Sequence, residues 1–151
     1  MPACTTNKDL TRFKLFLCDT GLFTTLMFKD KDFTENIIYE KLLNDKLGTN
    51  LGYLYENVVA QLLTCNGNEL FYYTFFNESS RHNYEIDFLI AKKNKVCPIE
   101  VKSSGYKTHK SLDEFSIKFS NRILQKYLVY TKDFSNDKDI LCLPAYMISF
   151  L

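Results

Sequence analysis

The order of elements legible in this chain, a helix, three strands, a second helix and a further strand, predicts an α/β domain of the α+β kind, with a mixed β-sheet flanked by helices. Two observations carry the prediction. The hydrophobic period changes near Glu69, from helical spacing before it to short alternating, strand-like runs after it. The length of 151 residues also suits one domain able to bury a core without disulfides or structural metals.

Taken in order, Met1 to Arg12 is polar and aperiodic and reads as a leader or cloning remnant, which leaves 13–151 as a single domain. Phe13 to Cys18 is a strand candidate. Asp19-Thr20 supplies an N-cap for a helix reaching about Phe28, and Thr34 caps a second one that stops near Leu47 before Gly48. A third helix spans about Asn50 to Leu63; at about 100° per residue, Leu51, Leu54, Tyr55, Val58, Val59 and Leu62 form one apolar stripe, with Glu56 at its edge. Strands follow at Leu70–Phe76, Tyr84–Ala91 and Val96–Lys102, then a helix over about Ser111 to Ser120 and strands at Tyr127–Thr131 and Ile140–Leu143. Pro144 to Leu151 is apolar and is expected to pack as a terminal segment.

Composition narrows the function classes less than it narrows the fold. Hydrophobic residues at 46% and charged residues at 25% are ordinary for a globular chain, and the 15% of Phe and Tyr reads as core filling. The net charge of +1 does not by itself mark a nucleic-acid binder. Its distribution is more pointed, because nine basic residues (Lys92, Lys93, Lys95, Lys102, Lys107, Lys110, Lys118, Arg122, Lys126) face three acidic ones between Ala91 and Lys126. That surface suits a phosphate backbone, or is a solvated lysine-rich face. The five cysteines are scattered with no C-x-x-C pair, which argues against structural zinc and for free thiols in a reducing cytoplasm. No signal peptide or membrane-length apolar run is present, so no membrane partner is expected.

The chemistry concentrates in one hairpin. Tyr84-Glu85-Ile86-Asp87-Phe88-Leu89-Ile90 and Val96-Cys97-Pro98-Ile99-Glu100-Val101-Lys102 flank the turn-like Lys92-Lys93-Asn94-Lys95. Strand alternation predicts that Glu85 and Asp87 share a face, as do Glu100 and Lys102, with Ile86, Phe88, Ile99 and Val101 pointing the other way. Carboxylates beside a lysine are costly to bury, and divalent-metal binding coupled to phosphate chemistry supplies a reason. Cross-strand ion pairs on a surface hairpin are the plainer alternative.

Asp87 followed by Glu100-Val101-Lys102 resembles the motif of the PD-(D/E)XK nuclease superfamily. The wider text, Phe13 to Leu22, Gly52-Tyr53-Leu54-Tyr55-Glu56-Asn57 and Pro98 to Ser104, is similar to the nuclease-like C-terminal domain, of unknown function, found in a prokaryotic family of AAA-type ATP-binding proteins. The resemblance covers nearly all of the chain after about residue 13. It implies a restriction-endonuclease-like core with an N-terminal strand and helical extension. It implies Asp87, Glu100 and the Val101 carbonyl as ligands for Mg²⁺ or Mn²⁺, with Glu56, the helix-borne acid, holding a second metal or a water. Lys102 would orient the attacking water or neutralise developing charge, so the implied catalytic set is Glu56, Asp87, Glu100 and Lys102. Glu85 is an auxiliary ligand or a salt-bridge partner for a lysine.

The family pattern begins with an ATPase core carrying a glycine-rich phosphate loop. This chain has none, so it reads as a C-terminal portion or truncated product with no ATP site of its own. The expected activity is metal-dependent DNA phosphodiester hydrolysis or structure-specific DNA binding, with DNA and the ATPase region of the same full-length protein as partners. The alternative is a catalytically inactive nuclease-fold module that docks or senses nucleic acid for the ATPase. His82 and His109 are isolated, and Ser103 and Ser104 lack a base, so neither pair suggests other chemistry.

Overall fold

A computed structural model describes residues 11–29, 40, 49–78 and 81–151. The helix expected over Thr34 to Leu47 lies almost wholly outside them. Helix α1 is Thr20–Phe28, α2 Thr49–Cys65 and α3 Lys110–Phe119; the strands are β1 Phe71–Asn77, β2 His82–Lys92, β3 Lys95–Val101, β4 Lys126–Tyr130, β5 Ser135–Asp137 and β6 Ile140–Pro144. They form one six-stranded mixed sheet in the order β1-β2-β3-β4-β6-β5. The β1–β2, β2–β3 and β5–β6 pairs are antiparallel, whereas β3–β4 and β4–β6 are parallel. The switch follows from the connections, because β2 and β3 are joined by a tight turn at Lys93-Asn94 while α3 carries the chain over from β3 to β4.

Each face of the sheet is covered. On one side Val59, Ala60 and Leu63 of α2, with Ile148 of the C-terminal 3₁₀ segment Ala145–Phe150, pack on Phe88, Ile90, Ile99, Val101 and Val129. On the other, Leu112 and Phe115 of α3 pack on Phe75, Ile86, Leu89 and Leu128. Aromatic rings cluster here, as the Tyr73, Phe75, Phe115 and Phe119 rings lie 4.8 to 6.3 Å from their neighbours. Pro98 is tolerated within central β3 because the β3–β4 ladder begins only at the next residue, Ile99.

The extended segment before α1 corrects one expectation. Phe13 to Cys18 is not a strand; the described residues give it no ladder partner. It has a strand's alternation, with Phe13 and Leu15 71% and 85% exposed while Phe16 packs on the Phe88 ring at 5.3 Å. Its backbone is satisfied by a side chain instead: Leu17 N–H donates to Asn57 Oδ1 at 2.8 Å and Asn57 Nδ2 donates to Leu17 O at 3.1 Å. Asp19 caps α1 as expected, accepting from Leu22 N–H at 2.8 Å. Helix α2 also turns more than its apolar stripe toward the protein, since Asn57, Ala60 and Leu63 are buried and Leu51 and Leu54 pack on Phe28 of α1. The hairpin strand β5 had no apolar signal, being Ser-Asn-Asp and exposed along its length.

Candidate metal centre at the fork between two strands

Alternation along β2 breaks where the site lies. Phe71 pairs with Leu89 and Tyr73 with Ile86, so Tyr72 alone opposes Asp87 and Phe88, which is a β-bulge. Ile86 therefore sits in the core under α3 while Phe88 sits in the core under α2, contrary to the single face expected for both. The bulge frees Asp87 from the regular pleat. The β2–β3 ladder ends at Phe88 and Ile99, and beyond it Asp87 Oδ2 accepts from Val101 N–H at 2.8 Å. A carboxylate thus closes the fork where the two strands part.

Acidic groups converge on that fork from both sides. On the α2 side Glu56, Glu85 and Asp87 surround the ammonium of Lys14, with Nζ at 3.5 Å from Glu56 Oε2, 3.8 Å from Asp87 Oδ1 and in contact with Glu85 Oε1. Glu100 pairs with Leu128, whose side chain lies under α3, so it leaves β3 on the opposite face from Ile99 and Val101. It is 3% exposed, and its Oε1 meets Lys102 Nζ at 2.8 Å. Its Oε2 is buried and has no hydrogen-bond partner. Lys102 N–H donates to Val129 O at 2.8 Å, which fixes the chain beyond β3. A Cβ added at Gly52 would lie 3.9 Å from Ser103 Oγ, so the start of α2 approaches the loop that follows Lys102.

The electrostatics show how far this charge is uncompensated. Burial pushes the Asp87 carboxyl up to about 7; the charges of Glu56 and Glu100 add to the rise, while the Val101 N–H and Lys14 oppose it. Burial pulls Lys14 down, but Glu85, Glu56 and Asp87 outweigh it, and the ammonium ends above its ordinary value. The structure thus brings Glu56 and Asp87 together through Lys14, and Glu100 together with Lys102, with Asp87 feeling both acids. Among the described residues, no three His, Cys, Asp or Glu side chains stand ready-made at metal-ligating distances. Lys14 and Lys102 hold the carboxylates in their present positions. The buried, partnerless Glu100 Oε2, on a carboxylate whose charge reaches Asp87, nonetheless suits a hard cation, whose ligands are carboxylate oxygens.

Two residues at or behind the site were not anticipated. Lys14 lies in the family-like stretch Phe13 to Leu22 but was given no role there; its inward turn beside Phe16 in a period-two segment is the further signal available in the sequence. Asn57, 2% exposed, lies beside Glu56 on what looked like a plain amphipathic helix. The basic surface also breaks up. Lys126 is buried against Asp139 at 2.6 Å, and Lys92, Lys93 and Lys95 stand at the turn, roughly 20 Å along β3 from Lys102. His109 is not isolated, its ring nitrogens lying 3.1 Å from Asp113 Oδ2 and 3.4 Å from Asp137 Oδ2. A polar groove lined by Ser116, Gln125, Lys126 and Asp139 opens at the start of β4.

The fold and fork define an α+β domain with a carboxylate-rich centre at the end of two central strands. Residues 51–148 match the model of DUF4143, a domain family of unknown function, and the chain belongs to that family. No curated protein and no solved structure matches the chain. Among the described residues, no helix is long and apolar enough to cross a membrane.

Proposed function

We propose that the domain is a metal-dependent nuclease module that hydrolyses DNA phosphodiesters, with a restriction-endonuclease-like core of the PD-(D/E)XK kind. The observation that carries the reading is the buried Glu100 carboxylate, with an oxygen left unpartnered, near enough that its charge, after burial and Glu56, helps raise Asp87 to about 7. Lys102 pairs with Oε1, but leaving the second buried oxygen without a partner costs stability, and a divalent cation would offset that cost. The succession α2, β1, β2, β3, α3, β4 around Asp87 and Glu100-Val101-Lys102 supports the same reading.

Asp87 and Glu100 would hold Mg²⁺ or Mn²⁺, with the Val101 carbonyl and Glu56 as further oxygen donors. When bound, the cation supplies Lewis-acid polarisation of the phosphate. Lys102 would exchange its contact with Glu100 for a phosphate oxygen and stabilise charge that develops there in the transition state. DNA is the proposed partner, and control by an AAA-type ATPase region remains part of the proposal.

The second reading, an inactive module that grips or senses nucleic acid, is favoured by the lysines already seated on the acids: Lys14 on Glu56, Glu85 and Asp87, and Lys102 on Glu100. Lys102→Ala separates the two. An active nuclease loses cleavage by about two orders of magnitude or more while DNA affinity falls modestly. A gripping module shows no cleavage in either form, and its affinity acquires a shallower salt dependence. Cleavage by Lys102→Ala at the wild-type rate removes the role assigned to this residue.

A further inference from the structure

We infer that two copies of this chain join edge to edge through β1, the two strands running antiparallel about Thr74. β1 is the terminal strand of the sheet and pairs on one side alone, with β2. From Tyr73 to Asn77 its register is regular, and among the described residues no hydrogen bond reaches the outer side of Tyr72 to Phe76. The N–H and C=O groups that point outward there are open to another strand. The helix axes stand back from this edge, since α2 lies over β3, and α3 over β2 and β3.

The side chains say which strand fits. Leu70 to Asn77 carries no charge, whereas the opposite edge, β5, is three residues long and set among Lys132, Asp133, Lys138 and Asp139, which is how an edge is guarded against pairing. Pairing about Thr74 puts Tyr72 opposite Phe76 of the second copy and Tyr73 opposite Phe75, ring against ring on both faces with no charge opposing another. The nearest charges on α3 are engaged in their own chain, Glu114 accepting from Asn77 Nδ2 at 2.7 Å and Lys118 Nζ lying 5.3 Å from the Phe75 ring. The pairing also covers Phe76, which is 55% exposed. The same strand in a second copy thus supplies the whole complement, and the interface is isologous. With about five residues a side against roughly 20–30 in a standard interface, the dimer is a reversible one.

The test is sedimentation equilibrium over a concentration series reaching millimolar, on wild type, Thr74→Lys, Thr74→Glu and an equal mixture of the two variants. Thr74 lies opposite Glu85 in its own chain, so a lysine there has a counter-charge in the monomer. In the dimer it faces a second lysine, and Thr74→Lys should weaken association about tenfold or more. Thr74→Glu alone should be weakened likewise, and the mixture should recover an association close to that of wild type, which loss of monomer stability cannot produce. Amide exchange of Tyr72 to Phe76 in wild type should slow as concentration rises. Should Thr74→Glu fold too poorly to mix, Phe76→Asp takes its place, and a weakened dimer supports the pairing where an unchanged one overturns it. A dimer indifferent to Thr74→Lys, a mixture no better than its components, or β1 exchange independent of concentration overturns it too. Monomeric wild type at every concentration overturns the inference and leaves the edge to a different strand.

Discussion

Asn57→Ala should unfasten the segment that brings Lys14 to the acids. Its amide accepts from Leu17 N–H at 2.8 Å and donates to Leu17 O at 3.1 Å and Thr20 Oγ1 at 3.2 Å, in a position 2% exposed. Three hydrogen bonds at a net of about 1 kcal/mol each give a loss of roughly 3 kcal/mol, the half-buried Leu17 backbone finding partial replacement in water. For a domain of this size that is a fall in melting temperature of roughly 6–12 °C. Equilibrium urea unfolding is the assay, with the midpoint lowered and the slope unchanged. Asn57→Asp, which keeps the acceptor for Leu17 N–H but buries a charge facing Leu17 O, should cost at least as much as alanine. A loss below about 0.5 kcal/mol for Asn57→Ala, the range of an ordinary surface change, would refute the anchoring role.

Stability without metal should fall as pH rises. Asp87 ionises near 7 when folded and near its ordinary value of about 4 when unfolded, so between these the native state holds the extra proton. The contribution is full below about pH 4 and lost through about pH 7, with a slope of up to about 1.4 kcal/mol per pH unit; denaturation of wild type beside Asp87→Asn reads it, and equal slopes contradict it. Lys102→Met strands the buried Glu100 charge and should cost about 1–3 kcal/mol, tempered because Lys102 is 34% exposed, whereas Glu100→Gln should cost less; the reverse order in urea unfolding would show that the pair is not the relevant interaction. Mg²⁺ at a hundred times its Kd should stabilise the protein by about 2.7 kcal/mol, and the double change Asp87→Ala with Glu100→Ala should remove the response. An equal thermal shift in both proteins would place the ion elsewhere.

The strands and helices that carry long apolar patterns were legible. Asp19 as a cap, α2, the β2–β3 hairpin, α3, β4 and β6 follow from period, caps and turn residues. The sheet's mixed character follows from the order of elements. What alternation could not supply was the bulge at Asp87-Phe88, because a bulge is registered between strands and leaves no mark within one. Asp87 therefore closes the fork in place of standing on one face with Glu100. Lys14 and Asn57 lie in the family-like stretches, but their roles escaped for a related reason, since these depend on contacts spanning about 40 residues and more. The extended segment shows the limit from the other side, since its period of two is real but its backbone bonds go to an amide side chain.

The central claim, metal-dependent hydrolysis at Asp87 and Glu100, is tested most directly by DNA cleavage with Mg²⁺ or Mn²⁺. The substrates are linear, flapped and four-way DNA, and wild type is assayed beside Glu100→Ala. The account predicts cleavage of at least one of these DNAs by wild type, abolished by chelation and reduced by about two orders of magnitude or more in Glu100→Ala. Cleavage at the same rate by Glu100→Ala, or none by wild type with either ion on any of the three DNAs, would contradict it.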